Sequence, residues 1–264
     1  MHPKLKVVII GCGNVGHQLA LAIDSAEHAK VVQVISRNAH KARELGELIN
    51  CAYTPHFEHV NLGADVYLFC ITDSAITEVV AQAKFLTLTN RLIAHTSGSV
   101  GMEVLLPYST NVGVLYPLQT MSATHNVDLS ASPLFIEGNN AQSMHTLNLL
   151  ATAITTHVTA VDSATRAKYH IAGVMVNNFV NHLMHKATEF CTDNNLEADL
   201  LLPLLTETVS KLHTQTPYDA QTGPARRNNT EVIEKHLLFL QNNTTLHQIY
   251  ATLSNSIINT YNTK

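Results

Sequence analysis

The feature that most constrains the fold of this chain is a set of three glycines that directly follows an apolar run near the amino terminus. Valine and isoleucine dominate residues 5–10, and the next residues have the spacing G-x-G-x-x-G, ahead of a segment with helical periodicity. A buried strand that enters a helix through such a turn presents backbone N–H groups and the helix N-terminus to an anion such as a pyrophosphate. The pattern predicts a dinucleotide-binding turn rather than a merely glycine-rich one. The predicted contacts are Gly11, Gly13, Asn14, Val15 and Gly16.

The residues after the second predicted strand indicate which dinucleotide binds. An NAD site usually ends this strand with Asp or Glu, which binds the ribose hydroxyls. Here the strand is followed by Ser36 and Arg37. Arg37 offers a fork of donors to a 2′-phosphate, and Ser36 can donate beside it. NADP is therefore the predicted cofactor, and the alternative is that Arg37 is an ordinary solvated residue.

Short apolar runs alternate with helical segments in the first part of the chain, and helical patterns alone follow. This order is typical of βαβ units. It predicts an α/β protein, with a Rossmann-type, mostly parallel, doubly wound sheet in residues 1–161 and an all-helical domain in residues 162–264. The predicted strands span residues 5–10, 31–35, 65–71, 91–94, 112–115, 133–136 and 157–161. The predicted helices of the second domain span residues 163–194, 199–213, 230–241 and 244–261. A loop is predicted at 215–227, because its prolines, Pro217 among them, and its glycine break the helical period.

Composition narrows the function further. The formal net charge of -4 argues against nucleic-acid binding, and no apolar run is long enough to predict a membrane span. The four cysteines form no C-x-x-C pair, so neither a disulfide framework nor a zinc site is predicted. His182, His185 and Glu189 could imitate a metal face, but such spacing arises easily in a chain with 16 histidines. The sequence predicts no metal, and the lack of a signal-peptide pattern predicts a cytoplasmic protein.

Polar residues follow three of the predicted strands, where open α/β sheets bind their ligands. Thr72 and Asp73 are predicted cofactor contacts, although Asp73 could instead cap a helix that begins at Ser74. The segment 95–99, with its small residues and glycine, can turn backbone N–H groups toward an anion. The substrate contacts predicted in this region, for which plain turn chemistry is the alternative, are His95, Ser97, Gly98 and Gln119.

The long helix after residue 162 carries an unusual number of polar residues. Regular helical spacing puts His170, Asn178 and Asn181 on one stripe. Histidine side chains in general can exchange a proton near neutral pH, so His170 is a candidate proton donor, and Asn178 is a candidate catalytic partner. The alternative for His170 is a buried histidine satisfied by its neighbours. Further along the chain, the candidate substrate contacts are Asn181, Lys211 and Arg226, with a plain helix C-terminal cation as the alternative for Lys211.

Several motifs together resemble a known family, the Rossmann-like proteins with a C-terminal domain of unknown function 2520. They are GCGNVG at 11–16, HTSGS at 95–99, YPLQT at 116–120, KYHIAGVMVNNFVN at 168–181 and QTGPARR at 221–227. The family is similar to pyrroline-5-carboxylate reductase and to the 6-phosphogluconate and 3-hydroxyisobutyrate dehydrogenases. This resemblance implies an NADP-type fold and a helical, often dimerising, substrate domain. Those dehydrogenases use a lysine with an asparagine four residues later, whereas here Ala172 follows Lys168 at that spacing.

The sequence thus predicts an NADP-dependent oxidoreductase. It would transfer a hydride between the nicotinamide and a small carboxylate, imine or hydroxy acid held between the sheet edge and the helical domain. The alternative is a non-catalytic NADP-binding sensor or scaffold. In both cases the helical domain is expected to form a homodimer, and the partner is otherwise a small molecule.

Overall fold

The structure, a computed structural model, describes residues 4–88 and 90–262. Its first half contains one eight-stranded sheet, and its second half is helical. The strands are β1 (Leu5–Ile10), β2 (Ala29–Ile35), β3 (Ala52–Thr54), β4 (Val66–Phe69), β5 (Leu92–His95), β6 (Val112–Pro117), β7 (Leu134–Gly138) and β8 (Val158–Ala160). The helices are α1 (Asn14–Ser25), α2 (Ala39–Leu48), α3 (Ile76–Gln82), α4 (Ala141–Ile154), α5 (Ser163–Gly173), α6 (Phe179–Asp193), α7 (Leu202–Lys211), α8 (Pro217–Ala220), α9 (Thr230–Phe239) and α10 (Thr244–Asn262).

The sheet has the strand order β3-β2-β1-β4-β5-β6-β7-β8. Neighbouring strands pair in parallel except β6 and β7, which are antiparallel. The chain runs outward from β1 in one direction and then returns to continue in the other, so the order reverses between β1 and β4. Ligands of open α/β sheets bind outside the carboxyl ends of the strands at such a reversal. The predicted α/β class, with its mostly parallel sheet and helical second half, is confirmed.

The core lies on both faces of the sheet because side chains alternate along each strand. In β1, Val7 and Ile9 pack in one hydrophobic cluster with residues of α1, α2 and α4. Val8 and Ile10 pack in the other cluster with residues of α3. Helices that cover both faces explain why the strands read as continuous apolar runs rather than as alternating patterns.

All seven predicted strands are present, with ends displaced by at most two residues. The strand that sequence reasoning missed is β3, at the sheet edge. It has three residues, and Ala52 and Tyr53 are exposed, so the apolar signal of a buried strand is absent. A short edge strand of this kind is fixed by its pairing with β2 rather than by its own sequence.

The predicted loop 215–227 contains a short helix, α8, which corrects that prediction. Prolines usually end helices, but Pro217 occupies the first turn of α8, where its missing N–H is not needed. The Thr216 side chain accepts a hydrogen bond from the N–H of Asp219 and caps this helix. Sequence reasoning took the proline as a helix breaker when it marks a helix start.

Contacts divide the chain into a first unit that ends at Asn178 and a second that begins at Phe179. The first unit contains the sheet, α1 to α5 and a π-helical turn, Val174–Asn178. The second unit contains α6 to α10. The predicted domain boundary at 161/162 stays a prediction. Within the described residues, no helix is both long and apolar enough to cross a bilayer.

Candidate functional site

A cavity of about 620 Å³ opens beside the glycine turn, at the carboxyl ends of β1, β2 and β4. This is the edge at which the strand order reverses. The predicted cofactor residues that line the cavity are Gly11, Gly13, Ser36, Arg37 and Thr72. Lining residues that sequence reasoning did not single out include Asn38, His56, Phe57 and Glu58. The first unit therefore brings most of the predicted cofactor residues together around one open volume.

Each of the three glycines of the turn has a different structural role. Gly11 has a φ of 109°, which side chains rarely tolerate, and a Cβ there would strike the carbonyl of Cys70. A Cβ on Gly16 would strike the carbonyl of Gly11, so this glycine permits the close approach of α1 to the turn. Gly13 differs, because a Cβ there would meet no atom within 4 Å. Its missing side chain leaves room for a ligand rather than for protein.

The start of α1 is suited to bind an anion. Gly13 is the residue that precedes this helix, and no side chain caps it. The N–H groups of the first helical turn need hydrogen-bond acceptors, and the helix dipole favours negative charge at this end. The open space at Gly13 and the uncapped turn together fit the pyrophosphate of a dinucleotide.

The charged residues that line the cavity follow β2 and β3 in the chain. Arg37 and Lys41 supply two cations, and Glu58 supplies the carboxylate among the lining residues. Arg37 is exposed, and among the described residues it forms no ion pair. The Ser36 hydroxyl accepts a hydrogen bond from the N–H of Asn38 at 3.3 Å, which holds the turn. The arrangement offers hydrogen-bond donors to a phosphate. Sequence reasoning missed the one acid, Glu58, because it follows β3 rather than β2.

Cys12 lies within the glycine turn and lines the same cavity. Burial raises the pKa of its thiol to about 11, although a hydrogen bond with Ser36 opposes this shift. Burial also raises the pKa of Cys70 above its usual range. Because nucleophilic cysteines need a thiolate, neither thiol is suited to covalent chemistry, and both serve as packing groups.

Asn14 and Val15, predicted as cofactor contacts, do not line the cavity. The Asn14 Oδ1 atom accepts a hydrogen bond from the N–H of Ala123 at 3.1 Å. Gln18, one turn later, donates to the carbonyls of Ser122 and His125. The Asn14 and Gln18 side chains thus connect α1 to the loop after β6. A cofactor role for Asn14 and Val15 stays a prediction.

The loop after β5 is organised around a buried histidine. His95 is fully buried, and its Nδ1 atom accepts a hydrogen bond from the N–H of Ser97 at 3.1 Å. Its Nε2 atom lies 3.4 Å from the carbonyl of Gly101, so Nε2 carries the proton. Burial lowers the pKa of His95 to about 4. His95 therefore shapes the loop as a neutral ring and presents no surface to a substrate in this conformation.

Ser97, another predicted substrate contact, has its hydroxyl engaged inside the same loop. The hydroxyl oxygen accepts hydrogen bonds from the N–H groups of Ser99 and Val100, at 3.1 and 2.9 Å. Such local bonds are the turn chemistry that serine commonly supplies. The loop is thus held by its own side chains before any ligand binds.

The loop brings Gly98 against a pair of polar side chains from two other elements. The hydroxyl of Tyr116, in β6, lies 2.9 Å from Nδ1 of His170, in α5. A Cβ on Gly98 would lie 2.7 Å from that nitrogen and 2.9 Å from the Tyr116 ring. Burial and the nearby charge of Asp73 raise the pKa of the Tyr116 hydroxyl, which therefore keeps its proton. Sequence reasoning found His170 and Gly98 but missed Tyr116, because no spacing rule joins residues 54 positions apart.

Asp73 lies beside this group and is not a helix cap. Residues Asp73–Ala75 form a single 3₁₀ turn in which Asp73 itself is the first residue, so the predicted alternative, a cap of a helix from Ser74, is wrong. Its Oδ2 atom instead accepts a hydrogen bond from the Ser99 hydroxyl at 2.5 Å. Asp73 thus links the segment after β4 to the loop after β5, outside the cofactor cavity.

A buried ion pair that sequence reasoning missed holds the same loop from behind. Arg166, in α5, is 1% exposed and pairs with Glu137 at the end of β7. Its other terminal nitrogen donates to the carbonyl of Val100 at 2.6 Å. The hydroxyl and N–H of Ser163 also donate to Glu137. The network joins β7, α5 and the loop after β5.

The predicted stripe of His170, Asn178 and Asn181 is not regular, because the π-helical turn Val174–Asn178 interrupts it. A π turn adds a residue to the helical turn and rotates the following side chains by about 100°. The π turn lies in the chain between His170 and Asn181 and includes Asn178, and both asparagines are exposed. The regular helix assumed between these residues is therefore not continuous, while the shared face and the functional roles of the three residues stay predictions.

The remaining candidates form local contacts. Gln119 donates to the Ser132 hydroxyl at 3.1 Å. In the second unit, Lys211 ends α7 and lies 3.8 Å from the Glu207 carboxylate. The guanidinium of Arg226 lies 4.2 Å from the centre of the Tyr261 ring. Their roles in substrate binding stay predictions.

Comparison with known domain families agrees with the two halves of the chain. The family described as a Rossmann-like domain matches residues 1–120. The family described as a domain of unknown function, DUF2520, matches residues 132–257. No curated protein matches the chain.

Solved structures extend the comparison to the whole chain. A Bacteroides fragilis protein named as a candidate NADP oxidoreductase is 35% identical, with a TM-score of 0.90, and the match covers 97% of this chain and 98% of that one. A 1-pyrroline-5-carboxylate reductase from Streptococcus pyogenes is 14% identical, with a TM-score of 0.64 and coverage of 97% and 98%. A reductive aminase from Aspergillus terreus, in complex with NADPH and ethyl-5-oxohexanoate, is 16% identical, with a TM-score of 0.64 and coverage of 96% and 88%. The last two similarities show the fold alone.

Proposed function

We propose that this chain is an NADP-dependent oxidoreductase. The chain belongs to the family that joins a Rossmann-like domain to DUF2520, and the proposal starts from that membership. Its substrate would be a small carboxylate, imine or hydroxy acid. One observation carries the proposal: a cavity suited to a dinucleotide and a pair of polar side chains lie at the same edge of the sheet. The dinucleotide cavity opens at the carboxyl ends of β1, β2 and β4, and the His170–Tyr116 pair lies at the end of β6 on the same edge.

The cofactor assignment rests on the residues of the cavity. The first turn of α1, with the open space at Gly13, would hold the pyrophosphate. Ser36, Arg37 and Lys41 would hold a 2′-phosphate. When bound, NADPH supplies a hydride. Support also comes from the 35% identical protein, whose name refers to NADP.

His170 is the proposed catalytic acid. Reduction of a carbonyl or imine carbon requires a proton on the neighbouring oxygen or nitrogen, and histidine is suited to supply it near neutral pH. Gly98 packs against the ring, so the loop after β5 would form a wall of the substrate site. Asp73 and Ser99 add a hydrogen-bonded polar pair beside it.

The cofactor proposal is tested by calorimetric titration of the purified protein with NADPH and NADH. Arg37→Ala is expected to weaken NADPH binding by about tenfold to a hundredfold, because a charge-assisted phosphate contact contributes about 1.5 to 3 kcal/mol. NADH binding should not change. Arg43→Ala is the matched control, since Arg43 pairs with Glu47 on the surface of α2 and does not line the cavity. Equal affinity of wild type and Arg37→Ala for NADPH would remove the proposed phosphate contact.

The catalytic proposal is tested by a screen of imines, keto acids and hydroxy acids with NADPH or NADP. For a substrate that turns over, His170→Gln is expected to lower kcat by at least about a hundredfold. Unchanged turnover in this variant would exclude the proton role of His170.

A non-catalytic NADP sensor is the second candidate. Two features of α5 favour the sensor. Ala172 stands where the related dehydrogenases have the asparagine that follows their lysine, and Lys168 itself is exposed. NADPH binding without turnover of any compound in the screen would support the sensor, and steady turnover of one compound would exclude it.

A homodimer is proposed for the second unit. Large apolar side chains there are more than half exposed, and one groove of about 480 Å³ is lined mainly by apolar residues. The exposed residues include Phe179, Leu200, Leu204, Leu238 and Phe239. Monomeric proteins rarely leave large apolar patches open to water. Light scattering should give twice the mass of one chain, and a monomeric mass at micromolar concentration would overturn the proposal.

A further inference from the structure

The Tyr116 hydroxyl contacts one particular atom of His170, and the choice of atom has consequences for proton transfer. The hydroxyl lies 2.9 Å from Nδ1, and the two rings meet edge to face at 5.9 Å. Gly98 closes the same edge of the imidazole, since a Cβ there would lie 2.7 Å from Nδ1 and 2.8 Å from Cγ. Among residues 4–88 and 90–262, no group hydrogen-bonds to Nε2. One ring nitrogen is therefore occupied by protein, and the other is left for a ligand.

We propose that Tyr116 is a positioning residue that keeps Nδ1 of His170 out of the proton chemistry, so that Nε2 is the nitrogen that exchanges a proton with the substrate. The inference rests on the proposed function. It adds a residue from another strand, and it assigns the reacting atom of the histidine.

The tyrosine can serve both charge states of the ring. A tyrosine hydroxyl is both a donor and an acceptor. When His170 is neutral, Nδ1–H donates to the hydroxyl oxygen, and Nε2 is unprotonated and free to take up a proton. When His170 is protonated, Nδ1–H donates to the hydroxyl oxygen. The ring thus keeps one hydrogen bond, and hence one orientation, in both states.

The proton balance of a reduction follows from this geometry. The substrate oxygen or nitrogen takes the Nε2 proton of the imidazolium, so a new O–H or N–H bond forms as the Nε2–H bond breaks. The electron pair of that bond stays on Nε2, and the neutral ring keeps its Nδ1–H bond to Tyr116. Water then returns a proton to the ring. Oxidation runs the same steps in reverse, with Nε2 as the base.

The tyrosine is suited to this role because it does not compete for the proton. Burial and the charge of Asp73 raise the pKa of its hydroxyl. Loss of the phenolic proton is therefore disfavoured, and the hydroxyl remains a hydrogen-bonding group rather than a proton donor to the substrate. A residue that acts through another in this way differs from a catalytic acid.

The test is nitrogen NMR of the histidine rings in the full-length protein, which needs neither substrate nor cofactor. The His170 signals are assigned by their loss in His170→Gln. At a pH where the ring is neutral, wild type should show a protonated Nδ1 and an unprotonated Nε2. Tyr116→Phe should shift both signals toward the averaged values of a mixture of tautomers, and unchanged signals would overturn the proposal.

The matched control is Tyr169→Phe, which removes a hydroxyl from the neighbouring residue of α5. The Tyr169 ring packs on Phe135, with centroids 4.8 Å apart, and in the described part of the chain its hydroxyl has no hydrogen bond. This variant should leave the His170 signals in place. If Tyr116→Phe does not fold, Gly98→Ala gives a second reading, because its Cβ must displace the ring from Nδ1 contact. No movement in Gly98→Ala would also count against the proposal.

Turnover gives an independent reading once a substrate is known. Tyr116→Phe should lower kcat by about tenfold with little change in KM, because the ring is misoriented while the substrate still binds. A tautomer that depends on Tyr116, combined with full activity of His170→Gln, would mean that the proposed catalytic role fails while the positioning contact is real.

Discussion

The cofactor cavity and the edge around His170 lie in the same unit but are built by different means. At the glycine turn, the backbone makes the site: Gly11 and Gly16 permit close approach, and Gly13 leaves open space. Around His170, side chains make the site. Tyr116 comes from β6, and Arg166 and Glu137 hold the loop from α5 and β7.

This contrast explains why one site can be found in a sequence and the other cannot. A backbone turn is specified by consecutive residues, so its spacing is visible as a motif. A cluster of side chains from separate strands is specified by the topology of the sheet, which no short spacing encodes. Variants at both sites test this contrast between a site made by the backbone and a site made by side chains from separate strands.

The largest effect is expected from the buried ion pair. Arg166→Met should lower the free energy of unfolding by about 4 kcal/mol, because it leaves the Glu137 carboxylate without its cation in a mostly buried position. The measurement is urea unfolding followed by circular dichroism. The control is Arg43→Met, which removes an exposed pair and should cause no measurable change. A loss as small as that of the control would mean that the edge around His170 does not depend on this network.

The next effect distinguishes two glycines of one motif. Gly11→Ala should destabilise the fold by about 3 kcal/mol, because its φ of 109° and the contact with the Cys70 carbonyl both oppose a side chain. Gly13→Ala should leave stability nearly unchanged but weaken NADPH binding by about tenfold or more, since its Cβ would occupy space open to the ligand. Urea unfolding and calorimetry of both variants measure the two quantities. Equal stability losses would contradict the distinction between the two positions.

The third effect is a pH dependence from His95. Its pKa falls from 6.5 to about 4 on burial, so the unfolded chain takes up a proton at a higher pH than the folded chain. The stability from the neutral ring is complete above pH 6.5 and is lost as the pH falls toward 4. Between pH 7 and pH 5 the expected loss from this group is about 2 kcal/mol.

The variant that isolates this contribution is His95→Asn. An asparagine oxygen can accept the N–H of Ser97 in place of Nδ1, but it does not titrate. Unfolding at pH 7 and pH 5 should show a smaller pH dependence than in wild type. The exposed His28→Asn should behave like wild type. An unchanged slope in His95→Asn would show that His95 is not neutralised by burial.

Much of the fold follows from sequence patterns alone. Buried strands such as β1 and β4 appear as apolar runs, and their period and spacing predict the parallel sheet. The edge strand β3 could not be predicted, because Ala52 and Tyr53 face solvent and carry no pattern. Pro217 was read as a breaker because its role at a helix start depends on the cap from Thr216.

The candidate site divides in the same way. Gly11, Gly13, Ser36 and Arg37 were predicted and line one cavity. Tyr116 was not, since its partner is 54 residues away. His95 was predicted as a substrate contact, but burial and two hydrogen bonds make it part of the loop interior in this structure. Sequence identifies the residue types that can do chemistry, whereas burial decides which of them are accessible.

The π-helical turn Val174–Asn178 lies between α5 and α6. A turn of this kind contains one residue more than a regular α-helical turn. A helix can hold such an extra residue as a wide turn without breaking its hydrogen-bonded course. Deletion of one residue from this turn should restore regular α-helical bonding, which makes the segment a place where evolution can re-aim polar side chains in a single step.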